Sequence, residues 1–152
     1  MANPDAVAQL YLDNFSNARV AYASTVSLNT VANAVANLAI TNGGLTNGGA
    51  VSNSGAVIIR KITATTLNGA VSSAYVTITT SNDGNASNAV VANVALSSLT
   101  AVGKFQDLAV ASPYTTTALS GSTSSCLFVN VTTPSGNTNT VNFSVYGDVV
   151  SF

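Results

Sequence analysis

The stretch that decides the fold lies near the end of the chain and reads Val141-Asn142-Phe143-Ser144-Val145-Tyr146-Gly147-Asp148-Val149. Val141, Phe143 and Val145 occupy one parity of this stretch, and Asn142, Ser144 and Tyr146 occupy the other. Successive side chains of a β-strand point to opposite faces of the sheet, so a period of two predicts a strand with one buried face. We predict that this strand covers residues 138–150 and directs its valines and phenylalanine into a core.

Similar short segments rich in β-formers recur along the chain, which holds 20 Val and 19 Thr among its 152 residues. Clusters of turn residues separate them at short intervals, a pattern typical of an all-β sandwich or barrel and not of alternating strands and helices. With the segment above we predict eight strands, at residues 19–28, 30–40, 56–65, 73–80, 88–96, 104–111, 124–132 and 138–150. Eight antiparallel strands in a chain of this length predict a jelly roll, in which two four-stranded sheets pack face to face.

The second predicted strand has a competing interpretation. One parity, which favours a strand, holds Thr30, Ala32, Ala34, Ala36, Leu38 and Ile40, and the other holds Asn29, Asn33 and Asn37. Val31, Val35 and Leu38 are also spaced for one face of a helix. We favour the strand and leave the helix as the alternative.

The connections are predicted from their turn residues. Asn68-Gly69 is a strong hairpin signal after the third strand, and Asp83-Gly84 is expected at the centre of the turn after the fourth. Pro113 is expected to end the sixth strand. Residues 41–55 contain the near-repeat Asn-Gly-Gly-Leu-Thr-Asn-Gly-Gly, which indicates a surface loop or a segment that is ordered only by a neighbouring subunit.

Residues 1–18 are predicted to lie outside the sandwich, which would occupy residues 19–152 as a single domain. Asn3-Pro4-Asp5 is a good helix start, but a projecting arm or an additional edge strand fits equally well. An exposed apolar segment requires a covering partner. We therefore predict that this segment binds a partner through Val7, Leu10, Tyr11 and Phe15.

Charge is scarce, with four basic and five acidic residues and a net charge of −1. Average soluble domains are about 25% charged, whereas this chain is 6% charged and carries 19 Ser, 19 Thr and 18 Asn instead. Four cations are too few to neutralise even six phosphates, so we expect no nucleic-acid partner. The apolar runs are too short to span a membrane and the N-terminus lacks the basic start of a secretory signal. We expect synthesis in the cytoplasm and no membrane partner.

The chemistry-bearing residues do not form a recognisable catalytic set. There is no His, and each of the five Asp residues stands alone in the sequence, so general acid–base catalysis lacks its usual groups. A single cysteine, Cys126, excludes an intramolecular disulfide and has no neighbouring base to activate it. The Cys and His ligands that zinc requires are missing as a set. Asp83-Gly84-Asn85 offers one carboxylate and one amide and is explained as a turn, with a weak calcium site as the alternative. We therefore expect no enzymatic activity and no cofactor.

Sugar binding is the remaining ligand class that the residues allow. It would use an aromatic ring beside amide or carboxylate groups, and the chain has five Tyr but no Trp. Tyr114 follows Pro113 in a predicted loop and is the best candidate for such a ring. An ordinary loop or interface tyrosine explains the same residue.

Two runs carry a resemblance to a known family. The first is Ala56-Val57-Ile58-Ile59-Arg60-Lys61-Ile62-Thr63-Ala64-Thr65, followed by a glycine-containing turn and Ala74-Tyr75-Val76-Thr77-Ile78, and the second is the closing strand quoted above. Over residues 50–152 the chain resembles the small jelly-roll proteins of tailed-phage virions, particularly capsid cement or decoration proteins. The resemblance lies in the low charge, in the richness in Ala, Val, Thr, Ser and Asn, and in short strands without a catalytic motif. The family has no fixed binding motif to map onto this sequence.

The resemblance implies a β-sandwich, commonly trimeric, that sits on the outer capsid where neighbouring major capsid subunits meet. We accordingly expect a structural virion protein whose partners are the major capsid protein and further copies of itself. A weakly charged surface suits such contacts because there is little for salt to screen. Two alternatives stay open: a phage tail or fibre module that recognises host glycans, and a surface or matrix protein of a bacterium.

Overall fold

The computed structural model describes residues 19–39, 55–111, 114–117 and 126–151. Nine β-strands and one short 3₁₀ turn (Ala86–Asn88) lie within these residues. The strands are β1 (Arg19–Ser27), β2 (Ala32–Ala39), β3 (Gly55–Thr66), β4 (Tyr75–Thr79), β5 (Ala89–Ala95), β6 (Phe105–Leu108), β7 (Tyr114–Thr117), β8 (Cys126–Thr133) and β9 (Thr140–Ser151). Residues 1–18, and with them Val7, Leu10, Tyr11 and Phe15, lie outside the described residues, as does the segment 40–54.

The strands form two antiparallel sheets. One has the order β1-β9-β3-β6, with β7 also paired to β3, and the other has the order β2-β8-β4-β5. β6 pairs with Ile62–Thr65 and β7 with Ala56–Ile59, so the two share one edge of β3. The nine strands therefore occupy eight positions, four in each sheet.

The order confirms the predicted jelly-roll sandwich. The first strand pairs with the last, the second with the last but one, β3 with β6 and β7, and β4 with β5. This nested pairing follows when a long antiparallel hairpin is rolled into two sheets. The inner faces meet in one core, which includes the fully buried Leu38, Ile62, Val76, Leu127 and Phe143.

The parity predicted for the last strand is confirmed. Val141, Phe143 and Val145 are fully buried in β9, whereas Asn142, Ser144 and Tyr146 are partly exposed. Ala32–Ala39 form a strand, so the helical alternative was wrong. A register shift between Ala32 and Ala36, with Ala34 at φ 52°, interrupts the pairing of β2 with β8.

Two local predictions were wrong. Asn68-Gly69 does not close a hairpin, because β3 and β4 belong to different sheets and the chain crosses between them there. The Asn68 side-chain oxygen instead accepts a hydrogen bond from the backbone N–H of Thr140 (2.8 Å). The sixth strand was predicted as one segment, but it ends at Leu108, and β7 forms after Pro113 because the free edge of β3 extends far enough for a second short strand.

Candidate functional site

One end of the sandwich is built from four connections that are all described. They are residues 28–31, 67–74, 96–104 and 134–139, which join β1 to β2, β3 to β4, β5 to β6 and β8 to β9. Antiparallel pairing brings these four connections to the same end, and we call them the loop end. Their shared position makes a composite surface out of segments that are distant in sequence.

Hydrogen bonds tie the connections of the loop end to one another. The backbone N–H of Val71 donates to the Leu99 carbonyl (2.9 Å), and that of Ser135 donates to the Leu28 carbonyl (2.7 Å). The amides of Asn137 and Asn139 both donate to the carbonyl of Ala70, at 2.9 and 3.0 Å. Leu28, Val71 and Leu99 are fully buried below these bonds. The loop end is therefore a preorganised surface, which lowers the ordering cost of binding a partner.

The loop end is nearly uncharged, and it exposes apolar side chains among uncharged polar ones. Of the six large hydrophobic side chains that the described residues expose, three belong to the loop end and two belong to the strand residues that directly follow it, with exposed fractions between 40% and 65%: Val31, Leu67 and Val102, then Tyr75 and Phe105. Lys104 is the sole charged residue in these four connections, each of which is described in full. Exposed apolar side chains on a surface fixed by hydrogen bonds favour a contact with protein.

A cluster of buried polar side chains occupies the middle of the outer face of the four-stranded sheet. Asn130, Thr77 and Thr79 point away from the core but are buried. The Asn130 side-chain oxygen accepts from the N–H of Ala34 (2.8 Å), and its amide donates to the Thr79 hydroxyl (2.9 Å). This polar cluster binds β2, β8 and β4 together. Because it is buried, it presents no surface to a ligand.

The segment Asp83-Gly84-Asn85, for which a weak calcium site was the alternative, belongs to a turn that hydrogen bonds to Asp83 hold in place. The Asp83 carboxylate accepts from the Ser81 hydroxyl and from the N–H of Asn85 (2.9 Å), and Gly84 has φ 70°. These two hydrogen bonds, the first of them foremost, lower the pKa of Asp83. No group of three or more potential metal-ligating side chains occurs among the residues that the structure describes.

The outer face of the five-stranded sheet is not covered by any residue that the structure describes, and it carries most of the described charge. We call it the sheet face, and its exposed or partly exposed side chains include Arg19, Tyr22, Lys61, Asp107 and Tyr146. The Arg19 guanidinium lies 4.6 Å from the centre of the Tyr22 ring, and Lys61 Nζ lies 5.9 Å from that of Tyr146. Lys61 Nζ also lies 3.2 Å from a carboxylate oxygen of Asp107. Tyrosine and arginine on an open face favour a binding role.

A β-bulge places two consecutive cations on this face. The register shifts between Ile59 and Lys61, so Arg60 is the extra residue and both cations are exposed between the buried Ile59 and Ile62. Arg60 Nε donates to the Asp148 carboxylate at 2.9 Å. Gly147 faces the bulge, where an added Cβ would lie 2.1 Å from the Ile58 carbonyl oxygen. A glycine is therefore required for the close approach of these two strands.

The structure separates the other residues singled out in the sequence. Tyr114 is the first residue of β7 and not part of a loop, and its side chain lies outside the described residues. Cys126 begins β8 and is partly buried. Asp83, Asp107 and Asp148 belong to a turn and to two different ion pairs, so no two of them form a carboxylate pair.

Sequence reasoning did not identify the loop end. A signal was present, because Leu67 and Val102 are large apolar residues next to glycine-containing turns, where polar residues are usual. That the four connections lie together could not be predicted without the strand topology, since residues 28–31 and 134–139 are far apart in the chain.

The chain matches no family model, no curated protein and no solved structure. Within the described part of the chain, no helix has the length and apolar character needed to cross a membrane.

Proposed function

We propose that this protein is a non-enzymatic structural component of a virion, a capsid decoration protein that binds the outer capsid as an oligomer and stabilises it. The observation that carries the proposal is the loop end: a hydrogen-bonded and nearly uncharged surface with exposed apolar side chains at one end of a jelly-roll sandwich. The resemblance described above supplies the kind of partner, the major capsid protein, and favours a trimer.

The chemistry of the surface supports a lasting contact with protein. Apolar area removed from water contributes about 25 cal/mol per Å² and is not weakened by salt as ion pairs are. The loop end offers such area without burying a carboxylate, and its single cation, Lys104, is the last residue before β6. A coat component has to stay attached through changes in ionic strength, and a contact of this composition meets that requirement.

The first test compares particles of the encoding virus with and without the protein. Particles that lack it should release their genome at a lower temperature, and adding the purified protein should restore the original release temperature. Unchanged release temperatures, together with no binding of the purified protein to bare capsids, would contradict the proposal.

The loop end predicts which residues control that binding. Val102→Asp places a carboxylate on an exposed turn and should weaken capsid binding by at least about tenfold, because the charge must be desolvated in the contact. Val102 is 64% exposed, so the variant should fold normally. Ala92→Asp adds the same charge at an exposed position of β5 outside the loop end and serves as the matched control. Equal binding by the two variants would place the contact elsewhere.

A second function is favoured by a different observation, the tyrosines of the sheet face. Tyr22 is exposed beside Arg19 and pairs across the strands with Ser144, so an aromatic ring and hydrogen-bonding groups lie together. This combination suits a host glycan, as in a tail or fibre module. A glycan array with the native protein should then give specific binding that Tyr22→Ala abolishes, with Tyr114→Ala measured in parallel. Absence of binding would leave the decoration function as the better account.

A further inference from the structure

The sheet face has two dissimilar margins. β1 and β6 lie at opposite edges of the five-stranded sheet. The β1 margin consists of Arg19 and Tyr22, and the β6 margin consists of Phe105 and Asp107. One margin thus offers a cation with an aromatic ring, and the other offers a carboxylate with an aromatic ring.

The β1 margin has unused binding capacity. Arg19 is exposed and stacks on Tyr22, and it forms no ion pair with any residue that the structure describes. A guanidinium group has five N–H donors in a planar fork that matches a carboxylate. Stacking on the ring holds this fork at the edge of the sheet, ready for an acceptor.

The β6 margin offers that acceptor. The Asp107 side chain is about half exposed, and its carboxylate takes one hydrogen bond from Thr63 (2.8 Å) and an ion pair from Lys61 (3.2 Å). A carboxylate has about four acceptor positions, so it can accept a further donor. Phe105, two residues before it in the same strand, is 63% exposed.

The backbone at these edges does not favour the addition of another strand. β1 shifts register twice in its pairing with β9, and Thr25 has φ 51°. β6 has four residues. Bulges and short strands prevent continuous edge-to-edge pairing, so contacts at these margins are made by side chains.

We propose that the β1 margin of one copy binds the β6 margin of a second copy, with Arg19 facing Asp107 and the Tyr22 ring facing Phe105. An acidic partner would meet Asp107 and a basic one would meet Arg19 and Lys61, whereas another copy presents both signs at matching margins. Since the two margins differ, each copy can bind one neighbour at each side and the contact can close into a ring.

This inference rests on the oligomeric part of the proposed function, but it is tested on purified full-length protein without capsids, so the two can fail separately. Arg19→Asp and Asp107→Arg each create a like-charge contact and should raise the dissociation constant of the oligomer at least about tenfold. The double variant Arg19→Asp/Asp107→Arg restores opposite charges and should recover most of the native affinity. Native mass spectrometry and sedimentation over a dilution series measure the dissociation constants of the native protein, the single variants and the double variant.

Two controls keep the result interpretable. Ala92→Asp adds a charge at an exposed position of β5, in the other sheet, and should leave self-association unchanged. Asp107→Asn removes the charge without placing a second cation beside Lys61, and it should weaken association less than Asp107→Arg does. Thermal unfolding of each variant verifies that the fold is intact.

Mixing Arg19→Asp with Asp107→Arg shows whether the assembly contains two copies or forms a ring of three. In a complex of two copies every contact would become favourable and association would return, whereas a ring of three always retains one like-charge contact and stays weakened. Either outcome supports the contact between the margins. A native protein that is monomeric at its highest soluble concentration, or a double variant no tighter than the single ones, would overturn it.

Discussion

Phe143→Ala should lower the free energy of unfolding by about 3–5 kcal/mol, the range found for removing a large buried aromatic side chain. Phe143 is the largest fully buried side chain of the described core and is the fourth residue of β9. Its cross-strand partners are Ala23 of β1 and Ala64 of β3. Alanines on both sides make room for the ring, and they cannot fill the space that its loss would leave.

The effect would be a large part of the total stability, because domains of this kind have about 5–15 kcal/mol in all. Chemical denaturation measured by circular dichroism gives the difference between the variant and the native protein. Phe105→Ala makes the same change at an exposed position and should alter the stability by no more than about 0.5 kcal/mol. Similar losses in both variants would show that the ring of Phe143 does not fill the core as described.

Asn130→Asp should have a comparable effect, about 3–5 kcal/mol at neutral pH, although it changes almost no volume. The Asn130 amide donates to the Thr79 hydroxyl and, at 3.3 Å, to the carbonyls of Thr77 and Phe128. An aspartate would place a buried negative charge beside two carbonyl oxygens and withdraw the donor from all three acceptors. Its favourable contact with the Ala34 N–H cannot offset that loss.

The same substitution predicts a pH dependence. Burial and the neighbouring carbonyls favour the neutral carboxyl, so the pKa of the new aspartate is raised in the folded state above its unfolded value of about 3.9. The part of the penalty that is due to the charge is therefore absent below the unfolded pKa, grows as the pH rises and is complete above the folded pKa. Denaturation of the native and variant proteins at several pH values measures this change. Asn37→Asp, on the exposed side of β2, is the matched control and should show little loss at any pH.

Much of the fold was predictable because a strand with one buried face shows alternating polar and apolar residues within a short stretch of sequence. The alternation from Val141 to Tyr146 identified β9 and its buried face, and the polar–apolar parity of residues 32–39 identified β2 against the helical alternative. Asn68-Gly69 misled because a hairpin dipeptide also serves a connection that crosses between sheets, and the difference depends on where β4 finds its partner. β7 was missed for a similar reason, since its formation depends on the free edge of β3.

The candidate surfaces were less predictable than the fold. Arg60 and Lys61 share one face only because a bulge shifts the register at that point, and strict alternation would direct them to opposite sides. The alternation of polar and apolar residues predicts that Asn130 and Thr77 are exposed on the outer face. The structure buries both of them, in the neighbouring strands β8 and β4. In each case the outcome depends on a neighbouring strand that is distant in sequence.

By itself, the sequence determined that the chain forms short antiparallel strands with one buried face and a surface of hydroxyl and amide groups, because side-chain periodicity and composition are local properties. The tertiary structure alone decided which strands are neighbours and how the surfaces form. Pairing across more than a hundred residues, as between β1 and β9, brings together the four connections of the loop end and sets Arg19 and Asp107 at opposite margins of one sheet. Such placement depends on non-local hydrogen bonds and packing, which no short stretch of sequence contains.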